Sequence, residues 1–333
     1  MWRETKIKRS SVVIVIGALL VFLTAVVFQL CYNTPTEVGP TDRVVSREEL
    51  SQDPIYYASL SETEQKIYDT LCEHAKNYTA GFIQFPEAIN MASFQNIQDA
   101  FLADSPYGGY TIVFFPMTAN YVFTATQGSQ EDAAMAEQCI LWVYGSAFSP
   151  DDMAVENNQL QNVEQCKQSL EEVDPEIKEE TLTKYETATE KLDQVVSELP
   201  ETFSQMEAVK HFVTWTSQNL NPIPLQREPY LDFNDMAIHY QSPSSLLCVS
   251  NKDSLCLGYA KVFQYLCEKA GIRCDIVLGT RRTNQGGHAI NKIYFGDEGF
   301  YVDVSELRNA NFINYMTQQK AKAYMAPAYP ELF

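Results

Sequence analysis

The sequence predicts a mixed α+β fold from its length, its apolar content and its aromatic content. The 333 residues are enough for about two domains, and 45% of them are hydrophobic, which supports a packed core. Aromatic residues make up 12% of the chain, a content that favours strands as well as helices. The net charge is −19, so a broad basic surface for binding nucleic acid is not expected.

The stretch from residue 12 to residue 30 has the length and composition of a membrane-spanning helix. Its polar residues are Thr24 and Gln29, and as a helix it would span roughly 28 Å. Four basic residues precede it and mixed charges follow it, which predicts a cytoplasmic N-terminus. A cleaved signal peptide and lipidation at Cys31 are the alternatives, although the span lacks the small residues that cleavage needs. We therefore predict an uncleaved signal anchor in the cell membrane, with the following chain outside the cytoplasm.

Composition divides the chain into segments. Residues 33–55 contain Pro and Gly but no apolar period, which predicts a stalk. The predicted segments are a cytoplasmic tail at 1–11, the anchor at 12–30, the stalk at 31–55, an N-terminal accessory domain of helices and strands at 56–200 and a C-terminal domain at 201–333.

The accessory domain is predicted to be mainly helical, with one pair of strands. A helix is expected to begin near Leu60, because a capping residue and early acids precede apolar residues spaced along one face. Two β-rich runs at 111–116 and 121–126 are separated by a brief turn, which predicts a hairpin or adjacent antiparallel strands. Residues 131–220 have a mainly helical and acidic pattern. The amphipathic helices expected there are at 171–199 and 202–219.

The C-terminal domain is predicted to contain a buried helix that has a cysteine at its start. Asp253 or Ser254 is the expected capping residue, which places Cys256 in the first turn, and Gly271 marks the end of the helix. The unpaired N–H groups and the positive dipole end of a helix start favour a thiolate at Cys256. Gly258 is expected to allow a close approach by another part of the chain. The residues that form the inward face are Cys256, Ala260, Phe263 and Cys267.

Strands are predicted after this helix, and they carry a histidine and an aspartate. The predicted strands are at 273–279, 288–295 and 300–305. Gly296 and Asp297 are expected to form a two-residue turn between the last two strands. In that register His288 faces Ser305, and Asp303 is a diagonal neighbour on the same face, at roughly 7 to 8 Å between backbones.

Cysteine, histidine and aspartate in this order suit thiol-dependent acyl chemistry. A thiolate attacks a carbonyl carbon, an imidazole activates the thiol and protonates the leaving amine, and a carboxylate orients the imidazole. The backbone N–H of a cysteine at a helix start is also a ready donor to the oxyanion that forms.

The motifs around these residues resemble the transglutaminase-like superfamily, whose members are relatives of papain-type cysteine peptidases. They are Cys-x-Gly-Tyr-Ala on the helix, Gly-Ile-x-Cys into the first strand, and His-Ala-x-Asn and Tyr-Val-Asp-x-Ser on the next two, within residues 205–306. The resemblance implies a nucleophile at Cys256, a base at His288 and an orienting acid at Asp303. It also implies a papain-like transglutaminase core, as in bacterial membrane-anchored members, with the cysteine helix packed on an antiparallel sheet that carries the histidine and the aspartate.

The sequence departs from the family's pattern at a few positions. Ile290 stands where Trp is usual after the His-Ala pair, and Ser305 stands where Thr is common after the aspartate. A Tyr that members often have upstream of the cysteine is missing, which leaves the second oxyanion donor unassigned. Trp215 and Tyr230 are candidates for that donor.

The function predicted from these residues is that of a membrane-anchored, extracytoplasmic enzyme that acts on peptide or glutamine amides through a thioester at Cys256. A cysteine peptidase, an amidase and a protein-glutamine acyl transferase all fit the triad. The alternative is a non-catalytic surface module that binds a peptide or a cell-wall component in the same cleft. The expected partners are a peptide or protein substrate and the membrane, through residues 12–30, with no nucleic acid.

Neither a cofactor nor a metal ion is predicted. The cysteines lack the spacing of a zinc knuckle, and a calcium-ligand loop is not visible. Eight cysteines in a chain exported to an oxidising space make disulfides conceivable, with Cys139 and Cys166 or Cys267 and Cys274 as pairs. The histidines expected to be structural or exposed are His74, His211 and His239.

Overall fold

Helices pack against two larger sheets in the computed structural model. The structure describes residues 39–47, 54–119, 121–122, 135–223, 243–307, 313–331 and 333. The predicted cytoplasmic tail and membrane anchor lie outside these residues, and Pro40–Phe333 form one compact unit. Among the residues described, none of the helices has both the length and the apolar composition that crossing a bilayer requires.

The helices of the described part alternate with short and long strands. The helices are α1 (Ile55–Ser59), α2 (Glu62–Lys76), α3 (Met91–Asp104), α4 (Val163–Glu171), α5 (Pro175–Ser197), α6 (Gln205–Asn219), α7 (Cys248–Asn251), α8 (Cys256–Lys269) and α9 (Gln318–Tyr324). The first strands are β1 (Val44–Ser46), β2 (Gly81–Asn90), β3 (Thr111–Thr118), β4 (Tyr121–Val122), β5 (Met135–Val143), β6 (Val155–Glu156) and β7 (Gln159–Leu160). The later strands are β8 (Thr202–Ser204), β9 (Asn221–Pro222), β10 (Asp253–Ser254), β11 (Cys274–Arg281), β12 (Gly287–Phe295), β13 (Glu298–Val302) and β14 (Met325–Pro327).

The accessory region is built on a sheet with the strand order β2-β5-β3-β4-β7-β6. The predicted hairpin is confirmed where it is described, because β3 pairs antiparallel with β4. The expectation of a mainly helical segment over 131–220, and hence of a mainly helical domain, is wrong for its first part, because β5 lies between β2 and β3. Cys139 and the four residues after it are fully buried. A continuous apolar run of this kind does not distinguish a buried strand from a buried helix.

The first long helix forms as predicted. Ser61 caps α2 by accepting a hydrogen bond from the Glu64 N–H, and the Glu64 carboxylate accepts one from the Ser61 N–H. This reciprocal pair satisfies two of the donors that a helix start leaves free. The apolar residues Ile67, Leu71 and Ala75 are buried, which confirms the predicted inward face.

The C-terminal sheet has the strand order β13-β12-β11-β14. Phe295 pairs with Glu298 across the β12–β13 turn, which confirms the predicted two-residue turn. The predicted last strand at 300–305 is too long, because β13 ends at Val302. Asp303 instead caps a 3-10 turn over Val304–Glu306.

Part of the predicted stalk pairs with the C-terminal domain. Strand β1 is antiparallel to β8, with Val44 opposite Ser204. The Asp42 carboxylate accepts hydrogen bonds from the Ser204 hydroxyl at 2.7 Å and from the Met206 N–H at 3.0 Å. Residues 42–46 are therefore attached to the start of α6.

Helix α8 packs against elements of both predicted domains. Phe263 and Leu266 join a buried cluster with Phe212 of α6. Leu257 and Ala260 join a second cluster that contains Leu71 of α2 and other accessory residues. Burial of each large apolar side chain contributes about 1.5–3 kcal/mol. The cysteine-bearing helix is therefore held from two sides.

The end of α8 is set by a glycine, as predicted. Gly271 has a φ of +74°, a left-handed conformation that favours glycine. The Gly271 N–H donates to the Glu268 carbonyl at 2.9 Å, and the Ile272 N–H donates to the Cys267 carbonyl at 2.8 Å. These two bonds are those of a Schellman motif, which satisfies the last carbonyls of the helix.

Candidate active site

Cys256 is the first residue of α8. The residue before it, Leu255, is the N-cap and makes no side-chain capping bond. The expectation that Asp253 or Ser254 caps the helix is therefore wrong. Both belong to β10, which pairs in parallel with β9, and the Ser254 hydroxyl donates to the Leu255 carbonyl at 3.0 Å. Cys256 still lies where the helix leaves its N–H groups unpaired and its dipole favours an anion.

The glycine two residues after the cysteine allows a close backbone contact. A Cβ atom at Gly258 would lie 2.1 Å from the Pro243 carbonyl oxygen and 2.5 Å from the Ser254 hydroxyl. The Pro243 carbonyl also accepts a hydrogen bond from the Leu255 N–H at 2.9 Å. This arrangement confirms the expectation of a close approach at Gly258, and it fixes the start of the helix that presents Cys256.

The side chains of His288 and Asp303 meet at the start of β12. His288 Nε2 lies 2.6 Å from Asp303 Oδ2, and each side chain is 7% exposed. The register explains the contact, because Asn291 of β12 pairs with Val302 and Asp303 follows at once. The diagonal relation that the sequence predicted therefore brings the two side chains into direct hydrogen bonding.

The thiol of Cys256 lies on the other side of His288. It is hydrogen-bonded to the His288 side chain and accepts a bond from the Ala289 N–H. Because Asp303 occupies Nε2, Nδ1 is the imidazole nitrogen left for the thiol. The structure thus brings the three predicted site residues together in the order thiol, imidazole, carboxylate.

The electrostatics of this pair favour the charged forms. Burial alone would raise the pKa of the Cys256 thiol, but the hydrogen bond and charge of His288 outweigh it and hold that pKa below its ordinary value. Burial alone would lower the pKa of His288, but the bonds to Asp303 and Cys256 outweigh it and raise that pKa to about 9. Both shifts act in the direction that favours a thiolate beside an imidazolium.

Asp303 stays ionised because it accepts several hydrogen bonds. Burial opposes its charge, but bonds from His288, Ser305 and Tyr324 lower its pKa. Oδ1 accepts from the Ser305 hydroxyl at 2.6 Å and from the Ser305 N–H at 3.1 Å. Oδ2 accepts from the Tyr324 hydroxyl at 2.5 Å. Ser305, which stands in place of a common Thr, therefore keeps the hydroxyl that this carboxylate uses.

Sequence reasoning missed two residues at this carboxylate, Arg281 and Tyr324. Arg281 Nη2 lies 3.2 Å from Asp303 Oδ2 and 2.7 Å from the Tyr324 hydroxyl. A signal for Arg281 was present, because Gly279 pairs with His288 and strand alternation places residue 281 on the same face. Tyr324 comes from α9, and no local pattern links that helix to the strands.

Two other motif residues hold the cysteine helix in place. The Asn291 side-chain amide donates to the Ala260 carbonyl at 2.9 Å, which ties β12 to α8. The Tyr259 hydroxyl donates to the Leu220 carbonyl at 2.9 Å, which ties α8 to the end of α6. These bonds give structural reasons for the Asn of His-Ala-x-Asn and for the Tyr of Cys-x-Gly-Tyr-Ala.

The Cys256 N–H is available as an oxyanion donor, because the first N–H of a helix has no intrahelical partner. Trp215 lies on α6, where its ring is 5.5 Å from Lys191 Nζ. It packs against the cluster that contains Phe212, whereas Cys256 packs against the cluster that contains Leu71. Tyr230, the other candidate, lies outside the described residues.

The cysteines considered as disulfide partners and the described histidines other than His288 make their contacts outside this constellation. The four cysteines considered as disulfide partners, Cys139, Cys166, Cys267 and Cys274, are buried free thiols in this structure. His74 Nδ1 lies 3.0 Å from the Thr79 hydroxyl, and His211 Nε2 lies 3.3 Å from Glu198. His239 lies outside the described residues.

Comparison with known proteins agrees with the motifs. Residues 207–304 match the family model of the transglutaminase-like superfamily. No curated protein matches the chain.

Solved structures with a local likeness include a candidate cysteine protease from Cytophaga hutchinsonii. It is 15% identical over 39% of this chain and 42% of its own, with a TM-score of 0.26. A TGase is 17% identical over 43% of this chain and 36% of its own, with a TM-score of 0.30. LapG of Legionella pneumophila is 15% identical over 45% of this chain and 75% of its own, with a TM-score of 0.31. The chain thus matches less than half the length of the first two, and likenesses of this size say nothing about activity.

Proposed function

We propose that the transglutaminase-like domain at residues 207–304 performs thiol-dependent acyl transfer on a peptide or glutamine amide. Cys256 is the nucleophile, His288 is the general base and acid, and Asp303 orients His288. The observation that carries the proposal is the continuous hydrogen-bonded relay from the Cys256 thiol through His288 to Asp303. A relay of this kind supplies a nucleophile, a proton carrier and its orienting acid in one place.

The reaction follows from these positions. The Cys256 thiolate attacks the amide carbonyl carbon, a C–S bond forms, and the carbonyl electrons move to oxygen. The Cys256 N–H stabilises that oxyanion. The C–N bond then breaks as His288 gives its proton to the leaving amine, which leaves a thioester on Cys256.

The second half of the reaction restores the thiolate. His288, now neutral, removes a proton from an incoming water or amine, which attacks the thioester carbonyl carbon. The C–S bond breaks, and the imidazolium and thiolate form again. Water as the acceptor makes the protein a peptidase or an amidase, and an amine as the acceptor makes it an acyl transferase.

The first test is the pH dependence of Cys256 alkylation, read by peptide mass spectrometry on the full chain. Cys72 serves as an internal comparison because it is half-buried, and burial raises the pKa of its thiol. At about pH 6.5, well below the ordinary thiol pKa of about 8.5, iodoacetamide is expected to label Cys256 much faster than Cys72. The His288→Ala variant is expected to lose this advantage while Cys72 labels as before.

The same experiment separates the enzyme from a binding module. Equal labelling of the two cysteines in the wild type at about pH 6.5, with no effect of His288→Ala, would remove the basis for thiol catalysis. The alternative of a module that binds a peptide or a cell-wall component would then be the better account of the cleft.

We also propose that this chemistry takes place outside the cytoplasm, on a domain anchored to the cell membrane by residues 12–30. The support is the apolar stretch and the basic residues before it. In intact cells, a protease added from outside is expected to degrade an epitope placed after Phe333 and to spare one placed before Met1. Protection of both epitopes would contradict the topology.

A further inference from the structure

Two side chains surround the carboxylate of Asp303 without a role in the steps above. Arg281 ends β11, and Tyr324 ends α9, which lies beyond residue 304, where the family match stops. The Tyr324 hydroxyl is 2.5 Å from Asp303 Oδ2, and Arg281 Nη2 is 3.2 Å from the same oxygen. The side chains of Arg281 and Asp303 are 19% and 7% exposed, so water screens this contact weakly.

The hydrogen bonds of Arg281 converge on one nitrogen. The groups near Arg281 Nη2 are the Tyr324 hydroxyl at 2.7 Å, Glu306 Oε1 at 2.9 Å, His288 Nε2 at 2.9 Å and Asp303 Oδ2 at 3.2 Å. His288 Nε2 is not free to accept, because its own hydrogen is directed at Asp303. Two donors therefore face each other, and the positive charge of Arg281 opposes a positive charge on His288.

We propose that Arg281 and Tyr324 are positioning residues that act on His288 through Asp303, because they share the negative charge of that carboxylate. The inference rests on the proposed function, because it concerns the residue that orients the general base. The Tyr324 hydroxyl donates to Asp303 and accepts from Arg281. The two residues therefore form a series of hydrogen bonds that ends at the Asp303 carboxylate. Each hydrogen bond that Asp303 accepts from these two residues weakens the attraction between its negative charge and a positive charge on His288.

A purely structural role explains the arrangement less well. Arg281 Nε is buried and has no hydrogen-bond partner within the described residues. A buried donor left without a partner destabilises the folded state. Arg281 Nε is buried here despite that cost, which points to a role for the charge of this side chain at the carboxylate.

The consequence concerns the proton on His288. The charged and titratable groups that face it are Cys256, Asp303, Arg281 and Tyr324, and Glu306 accepts a hydrogen bond from Arg281. Removing the Arg281 charge or the Tyr324 hydroxyl leaves more of the Asp303 charge for the imidazolium. The pKa of His288 should therefore rise, and a role in packing alone would not cause this.

The test is a titration of His288 by NMR of the full chain carrying isotope-labelled histidine. The chain has four histidines, and the signal of His288 is identified by its loss in His288→Ala. In both Arg281→Met and Tyr324→Phe the pKa of His288 is expected to rise by at least about 0.5. Arg281→Lys keeps the positive charge. The pKa of His288 in this variant should therefore stay closer to the wild-type value than it does in Arg281→Met.

Two matched controls remove the same groups nearby. Arg282→Met loses a charge one residue further on, at a side chain that donates to the Lys322 carbonyl. Tyr329→Phe loses a Tyr–Asp bond of 2.7 Å, to Asp99 rather than Asp303. Both are expected to leave the pKa of His288 within about 0.2 of the wild type.

An unchanged or lowered pKa of His288 in Tyr324→Phe overturns the proposal, and so does a shift in the controls that equals the shift in Arg281→Met. Tyr324→Phe removes a single oxygen, so it decides the matter even if Arg281→Met fails to fold. The readout is independent of Cys256 reactivity. A reactive Cys256 with an insensitive His288 would refute this inference alone, and an unreactive Cys256 would refute the proposed function alone.

Discussion

Asp303 and Asp104 are buried to nearly the same degree, 7% and 9% exposed, but the pKa values of their carboxyl groups shift in opposite directions. Burial raises the pKa of both. At Asp303 the hydrogen bonds from His288, Ser305 and Tyr324 outweigh it, and the pKa falls. At Asp104 the hydrogen bonds that the carboxylate accepts do not outweigh burial, and its pKa rises to about 7. Hydrogen-bond donors and the neighbouring charge of His288, rather than depth, therefore decide the charge of this buried carboxylate.

The second region lies between α3 and α8, the helix that begins at Cys256. Asp104 ends α3 and accepts a bond from the Tyr57 N–H at 2.7 Å, while its Oδ1 atom is buried with no partner among the described residues. Lys261 of α8 is buried, and its ammonium donates to the Ser105 carbonyl at 2.8 Å. Burial lowers the pKa of Lys261 to about 8 although Asp104 and Glu268 oppose that shift. The lysine of the cysteine helix thus satisfies carbonyls at the end of an accessory helix.

The two regions differ in how completely their charges are paired, and this difference assigns them different tasks. The Asp303 region holds a carboxylate ionised beside a histidine, which suits proton transfer. The region of Asp104 and Lys261 attaches α8 to α3 through a buried cation and incompletely bonded groups. A change in the second region should therefore affect stability first, and a change in the first region should affect reactivity first.

The largest expected effect is on stability, from Lys261→Met. The substitution keeps the length of the side chain but leaves Asp104 without its nearby cation and the α3 carbonyls without their donor. A buried carbonyl left without its donor costs about 1–3 kcal/mol. Urea unfolding at neutral pH should show a loss of this size.

Lys66→Met is the control for this prediction. Lys66 pairs with Glu62 on the exposed face of α2 at 2.8 Å, and its loss should hardly change the free energy of unfolding. If both variants unfold at the same urea concentration as the wild type, the buried lysine does not hold the two helices together.

The next effect is on reactivity, from Asp303→Asn. The amide keeps the shape of the carboxylate but removes the charge that keeps the pKa of His288 near 9. With less imidazolium beside it, the Cys256 thiol should ionise at a higher pH, and alkylation at about pH 6.5 should slow by roughly 100-fold. The difference from the wild type should narrow at about pH 9.5, where thiols ionise without help. A constant ratio across this pH range would show that Asp303 acts on something other than the protons of this pair.

Local pattern in the sequence was enough to predict the constellation but not its surroundings. The positions of Cys256, His288 and Asp303 could be predicted from a helix start, the start of a strand and a two-residue turn. Each of these features can be recognised from a few neighbouring residues. Arg281 was within reach by strand alternation. Tyr324 was not, because its contact with Asp303 depends on how α9 folds back over the sheet.

The same limit applies to the fold. The turn at Gly296 and the stop at Gly271 were predictable, because glycine alone adopts a positive φ without cost. Strand β5 was not, because its central position buries both faces and removes the alternation that marks a strand. The contact of Lys261 with Ser105 joins residues 156 positions apart, and no local signal reports such a pair.

A third effect is a change in how stability depends on pH, from Asp104→Asn. The folded pKa of Asp104 is raised to about 7 from 3.8, so the folded state binds its proton more tightly than the unfolded state does. The stability that this proton contributes is complete below the unfolded pKa and is lost as the pH rises through the folded one. Between about pH 5 and pH 8 the variant should therefore gain at least about 1 kcal/mol relative to the wild type.

The control for this third effect is Asp99→Asn, which removes a carboxylate from the same helix outside the Lys261 region. Its difference from the wild type should change less over the same pH range. A pH-independent difference for Asp104→Asn would mean that Asp104 is ionised throughout, and the contrast with Asp303 would then be lost.

The smallest effect is expected from Ser305→Ala. The substitution removes the hydroxyl donor to Asp303 Oδ1 at 2.6 Å but keeps the Ser305 N–H at 3.1 Å and every donor to Oδ2. We expect a loss of about 1–2 kcal/mol in stability and less than roughly a tenfold fall in Cys256 alkylation at about pH 6.5. Ser305→Thr, which restores the hydroxyl, should recover the wild-type rate. If Ser305→Ala slows alkylation as much as Asp303→Asn does, one donor rather than several keeps Asp303 ionised. The difference between Asp303 and Asp104 would then depend on the bond from the Ser305 hydroxyl alone.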